Sequence, residues 1–213
     1  MNATRLLWFL AVGLPGAAAS QTAPKIAARG DAGMVWVHAD GGVGVTEMKG
    51  PVLAGEGRVV FPGLAAGMGL LSGTLQAPGG GNAQHDLIEG RLFIAARALP
   101  WLELSFGPAV RAYLTDSTTE RWVVWQGRAH VDAPILPQRL TSYVEAWRAF
   151  SSQVNLAAGA GRVQGGEAGV VYRPPRRTFW FRLAYHVDDA AMGTSGVSET
   201  LQSISVGVGV GSW

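Results

Sequence analysis

The sequence predicts an all-β fold, an antiparallel up-and-down β-barrel that crosses a membrane with its strands. Three observations carry this. In Trp101–Leu114 (WLELSFGPAVRAYL) the even positions Leu102, Leu104, Phe106, Pro108, Val110, Ala112 and Leu114 are all apolar, while Glu103, Ser105, Arg111 and Tyr113 fall on the other face. That is the period of an extended strand with different surroundings on its two sides. The 213 residues are 48% hydrophobic and 15% charged, yet no apolar run reaches the roughly 18 residues of a spanning helix. The chain also opens with what reads as an export signal.

That signal covers 1–20. Arg5 supplies the positive start, Leu6–Leu14 the apolar core, and Ala17, Ala18, Ala19 and Ser20 a small-residue cleavage site, the three parts of a secretory leader. Cleavage is expected near Ser20 or Gln21. Residues 21–57 read as an N-terminal segment, periplasmic or associated with the lumen, and 58–213 as the barrel. Within the segment, Gln21–Gly33 looks like a loop. Met34–Thr46 alternates, with Val35, Val37, Ala39, Val43 and Val45 opposite Trp36, His38 and Asp40. Asp40-Gly41-Gly42 is either a hairpin turn or a bend in one strand. If the segment joins the wall, the barrel has ten strands in place of about eight.

Eight strands follow from the alternation: Arg58–Leu71, Ile88–Leu99, Trp101–Leu114, Arg121–Ala133, Leu140–Ser151, Gly161–Tyr172, Thr178–Asp188 and Leu201–Trp213. Short connections at Pro100, Pro134–Arg139 and Pro174-Pro175 alternate with longer ones rich in Gly, Ser, Thr and Asp. Short periplasmic turns and longer extracellular loops are the outer-membrane arrangement. A soluble β-sandwich would also alternate, but needs no leader.

The chain ends SISVGVGVGSW. A closing strand with a terminal aromatic residue resembles the signal that outer-membrane barrels present to the bacterial insertion machinery. With the leader and the strands, the sequence resembles a small bacterial outer-membrane β-barrel. The resemblance implies a Gram-negative outer-membrane location, with membrane lipid and the insertion machinery as partners.

Lipid is expected on Ile88, Leu92, Ile94, Val123, Trp125, Ala129, Val131, Phe179, Phe181, Leu183, Tyr185 and Val187. Trp122, Trp125, Tyr172 and Phe179 would form interfacial girdles. Facing inward are Glu89, Arg91, Arg97, Glu103, Arg111, Gln126, Arg128, His130, Asp132, Glu145, Glu167, Arg182, His186 and Asp188. An eight-stranded lumen is just wide enough to be filled by side chains, so these charges must pair. Turns centred on Pro100, between Leu136 and Pro137, and on Pro174-Pro175 set Arg97 opposite Glu103, Glu89 opposite Arg111, Arg128 opposite Glu145 and Glu167 opposite Arg182. Fifteen of the seventeen cations are arginine, Lys25 and Lys49 being the exceptions, and arginine suits enclosed pairing with carboxylates. Arg148, Arg162 and Gln164 have lipid parity and are placed at the outer rim. Gly207, Gly209 and Gly211 would make luminal room for arginines.

Little specific chemistry emerges. No basic cluster suggests nucleic acid. The absence of cysteine removes disulfides and thiolate metal sites. Gly79, Gly80 and Gly81 lack the helix and Lys-Ser/Thr of a phosphate loop. His130 with Asp132 is too small a set for a structural metal. His186, Asp188 and Ser195 are the candidates for a rim hydrolase, which would resemble lipid A deacylases and omptin proteases in size and setting. No cofactor or metal is expected, and the sequence assigns no ligand. The leading expectation is a porin-like but filled, non-enzymatic barrel acting in envelope integrity or surface contact through external loops. A narrow pore or export accessory, and a hydrolase using His186, are the alternatives.

Overall fold

The computed structural model describes residues 23–40, 45–77, 84–115, 118–155, 160–193 and 198–211. They form ten antiparallel strands: β1 (Lys25–Asp40), β2 (Val45–Phe61), β3 (Leu64–Gln76), β4 (Gln84–Leu99), β5 (Leu102–Leu114), β6 (Thr119–Leu136), β7 (Leu140–Val154), β8 (Ala160–Tyr172), β9 (Phe179–Met192) and β10 (Ser198–Val210). Each pairs with the next, and β1 pairs with β10 to close the cylinder. A two-sheet sandwich is thereby excluded.

The hairpin at Asp40 separates β1 from β2, and both strands lie in the wall. Three sequence expectations are corrected here. Lys25–Gly33 is strand, its alternation masked by small residues. The boundary at 57/58 falls inside β2. The stretch Arg58–Leu71 is two strands joined by a tight turn at Pro62-Gly63, where Gly63 has φ of 78°, a left-handed value that favours glycine. Residues 1–20, Gly79 to Gly81, Ser195 and Trp213 lie outside the described residues.

Register fixes the shape. A row of cross-strand partners leaves β1 at Ile26 and passes Val59, Ala66, Ile94, Phe106, Gly127, Arg148, Gln164, Asp189 and Thr200. It returns to β1 at His38, twelve residues further along. Ten strands with a shear of twelve imply a tilt of about 40° and a wall radius of about 10 Å. The row therefore climbs about 3 Å per strand. Its first six residues are apolar and its last five polar, as the climbing row leaves the apolar outer surface.

That surface is a belt. Leu53 is 69%, Leu92 58% and Val206 59% exposed, and Ile94, Leu104, Leu183 and Ile204 join them around the cylinder. The belt is about 25 Å tall, the height of outer-membrane barrels. Phe106 stacks on Trp125 at 5.5 Å between ring centroids, and Phe150 packs on Phe106 at 6.1 Å. Trp125 and Tyr172 lie on this outer face, but Trp122 does not: at 4% exposure it points into the lumen, as its even parity with Gln126 and Arg128 requires. The termini and the connections 62–63, 100–101, 137–139 and 173–178 share one end, and connections of four to seven residues share the other. We call these the turn end and the loop end.

The cysteine-free background gives a direct test of the ten-strand wall. Ala32 and Val206 are partners across the β1–β10 seam. The double variant Ala32→Cys with Val206→Cys should form an intramolecular disulfide on mild oxidation, read as a mobility shift reversed by reductant. An eight-stranded wall that omits β1 predicts no such crosslink.

Candidate functional site

The alternation that exposes the belt turns a second set of side chains inward. Many meet partners from strands that are not neighbours, some by passing over one intervening strand and others, such as Arg111 to Asp188, by crossing the lumen. Arg111 on β5 contacts Glu89 on β4, Asp188 on β9, and Glu199 on β10 at 3.5 Å. Arg182 on β9 contacts Glu167 on β8 and reaches Asp31 on β1 at 2.7 Å. Glu56 on β2 takes Arg29 at 3.0 Å and Arg91 on β4. Arg91 in turn lies 3.9 Å from Glu145 on β7, which binds Arg128 on β6.

These contacts join into one chain in which carboxylates alternate with arginines and His186. It runs Glu199, Arg111, Asp188, His186, Glu167, Arg182, Asp31, Arg29, Glu56, Arg91, Glu145 and Arg128. His130 extends it, with Nδ1 3.6 Å from Glu145 and Nε2 3.2 Å from Asp132. A separate group near the turn end joins Arg58 to Glu103 at 3.0 Å and Arg97 to Glu103 at 3.6 Å. Neutral donors complete the carboxylates. The Tyr113 hydroxyl donates to Glu199 at 2.7 Å, the Tyr143 hydroxyl to Glu167 at 2.8 Å, and the Trp147 indole to Asp188 at 2.9 Å. Saturation of this kind is what makes a buried carboxylate tolerable.

Apolar groups lie on either side of the ionic layer. Toward the loop end, Val35, Val37, Met48, Val52, Leu75, Leu87, Tyr113 and Leu201 form a buried cluster inside the lumen. Trp122, Val124, Trp147, Val163 and Ala190 form a second beside it. Toward the turn end, Tyr143, Val171, Trp180 and Ala184 pack together. An internal cavity of about 170 Å³ lies where the ionic layer meets the loop-end clusters, lined by Val52, Leu71, Arg91, Val124, Glu145, Leu201 and Ser203 among others.

Of the sequence-derived pairs, Arg97 with Glu103 and Glu89 with Arg111 are directly opposite. The other two are not. His130 sits opposite Glu145, and Arg128 opposite Trp147, over whose ring its guanidinium lies at 5.3 Å. His186 sits opposite Glu167, and Arg182 opposite Val171. The six-residue connection 173–178 is longer than a turn centred on the two prolines, and it moves the register by four. The long arginine side chains reach Glu145 and Glu167 all the same. The room left by Gly207 and Gly209 is taken by the Asp31 carboxylate and the Trp180 indole, not by arginines.

Arg29, Asp31, Glu56, Arg58 and Glu199 are the members that sequence reasoning missed. The signal was present: Arg29 and Asp31 share the odd parity of Val35 and Val37. As for the hydrolase candidates, His186 Nε2 is 2.8 Å from Asp188 and Nδ1 3.7 Å from Glu167. Both ring nitrogens face carboxylates inside the barrel. Among the described residues no cluster of three or more metal-binding side chains is present.

No family model matches the chain, and no curated protein sequence matches it. Solved structures do. The outer-membrane protease OmpT of Escherichia coli superposes with a TM-score of 0.53 at 10% identity, over 90% of this chain and 99% of that one. The fold is that of bacterial outer-membrane β-barrels. The β-domain of the Bordetella autotransporter BrkA gives 0.45 at 13% identity, over 89% and 99%. The translocator domain of NalP from Neisseria meningitidis gives 0.43 at 13%, over 91% and 90%. At such identities the likeness is one of architecture.

The ionic chain makes a stability prediction. Arg111→Ala leaves Glu89, Asp188 and Glu199 without their shared cation, and should cost about 3–5 kcal/mol. Arg177→Ala, at an exposed turn, should stay within about 0.5 kcal/mol. Urea midpoints of the barrel refolded in vesicles measure both.

Proposed function

We propose that this protein is an integral β-barrel of the bacterial outer membrane, exported by a leader cleaved near Ser20, with a sealed lumen. It is a non-enzymatic envelope protein that contributes stability and surface contact through its wall and rim. The observation that carries this reading is the ion-pair chain that crosses the lumen and abuts an apolar cluster. An ion entering would have to part matched charges and pass an apolar layer, both of which oppose conduction. The loop-end connections, none longer than seven residues, offer little platform for a large partner. The wall is the more extensive surface, which shifts emphasis from loops to the membrane-facing side.

A narrow pore is the second reading, and the internal cavity is what favours it. Planar-bilayer recording separates the two. The purified barrel should show no steady conductance above the bare membrane, and discrete single-channel steps would overturn the sealed reading. Membrane residence has its own test. Leu92 is in the apolar belt near mid-height, so Leu92→Arg should cost about 2–4 kcal/mol of folding free energy in vesicles. In a water-exposed wall the same change would stay within about 0.5 kcal/mol.

A further inference from the structure

Among the described residues, one arginine stands within the apolar belt of the outer wall without a counter-charge. Arg148 is exposed on β7, and among the described residues it has no hydrogen-bond or ion-pair partner. On the climbing row it is the sixth step from Ile26, about 18 Å above it and just below the upper edge of the belt. Its row neighbours are Gly127 on one side and Gln164 on the other. Beyond Gln164 is Asp189, which Arg162 holds at 3.3 Å. That pair cancels itself and leaves Arg148 as the net charge.

Below Arg148 the wall is shallow. Ala129 on β6, Ala146 on β7 and Gly166 on β8 form a patch of small outward residues in consecutive register, with Ala168 one step lower on β8. Bulky side chains flank it. Leu104 stands opposite Ala129 on one side, Val187 opposite Gly166 and Tyr185 opposite Ala168 on the other, and the 73% exposed Phe150 lays its ring over Gly127 at the upper end. The surface is a trough with a lone guanidinium at its upper end. An unpaired cation at the edge of hydrocarbon is costly unless it reaches an anion, and arginine forks match phosphate oxygens bidentately. The trough has room for an acyl chain leading up to that anion.

We propose that Arg148 and the trough below it hold one membrane lipid with an anionic phosphate headgroup. The phosphate sits on the Arg148 guanidinium with the Gln164 amide beside it, and one acyl chain lies over Ala146 and Gly166. This rests on the membrane reading above, and the test keeps the two apart. Flotation with phosphatidylcholine vesicles first shows whether the refolded full-length chain inserts. Native mass spectrometry from detergent then counts retained lipid for phosphatidylglycerol, phosphatidylcholine and inorganic phosphate.

The wild-type barrel should retain one phosphatidylglycerol in preference to phosphatidylcholine, and millimolar inorganic phosphate should not displace it. Arg148→Gln should weaken retention about fivefold. Ala146→Leu, which fills the trough without touching the charge, should weaken it as well, and Arg177→Gln at the turn end should leave it unchanged. Equal retention by Arg148→Gln and wild type, or displacement by phosphate alone, overturns the lipid site while the membrane reading survives. Failure to float overturns both.

Discussion

A closed cylinder of ten tilted strands must fill its own interior, and the matched ionic chain is how this sequence does it. A wall radius of about 10 Å leaves a lumen too wide for backbone to close and too narrow to hold bulk water throughout. Arginine is the residue that spans it. One guanidinium can serve three acids from three strands, as Arg111 does for Glu89, Asp188 and Glu199. A lysine ammonium offers no such planar fork. The scarcity of lysine is therefore tied to the geometry of the interior.

The wall and the lumen are two expressions of one alternation. Each strand donates every second residue to the apolar outer belt and the rest to the ionic chain or to the apolar clusters beside it. Glycines appear where the inward set would otherwise collide. Gly207 faces the Asp31 carboxylate and Gly209 the face of Trp180, so β10 yields its luminal space to groups from β1 and β9. The narrow strip Ser203–Gly209 thereby lets the Arg182–Asp31 contact pass over it.

Parity made most of this legible in the sequence. The strands from β4 onward, the outward belt and the inward charges follow from counting by twos. Failures occurred where parity gives no contrast. Val59–Leu71 is nearly all apolar or glycine, so the Pro62-Gly63 turn within it left no polar mark. Ala27 to Gly33 alternates between charges and very small residues, which reads as loop. Trp122 was assigned by residue type to a girdle, although its position in the even set of β6 assigns it to the lumen. Register across 173–178 depends on turn length, and two adjacent prolines do not specify that. The isolation of Arg148 was partly visible as wrong parity, but the trough required neighbours from three strands.

Nine of the ten strand pairings join consecutive strands, and the β1–β10 seam alone joins the two extremes of the chain. Hairpins can zip locally with little loss of chain entropy, whereas the seam must gather segments separated by more than 150 residues. Asp31, on the first strand, is gripped by Arg182 on the ninth. A partly assembled sheet would keep that carboxylate and that guanidinium apart until the last edge docks. Cylinder formation should thus behave as a late, concerted latch, with the first strand serving as the final piece to be clasped.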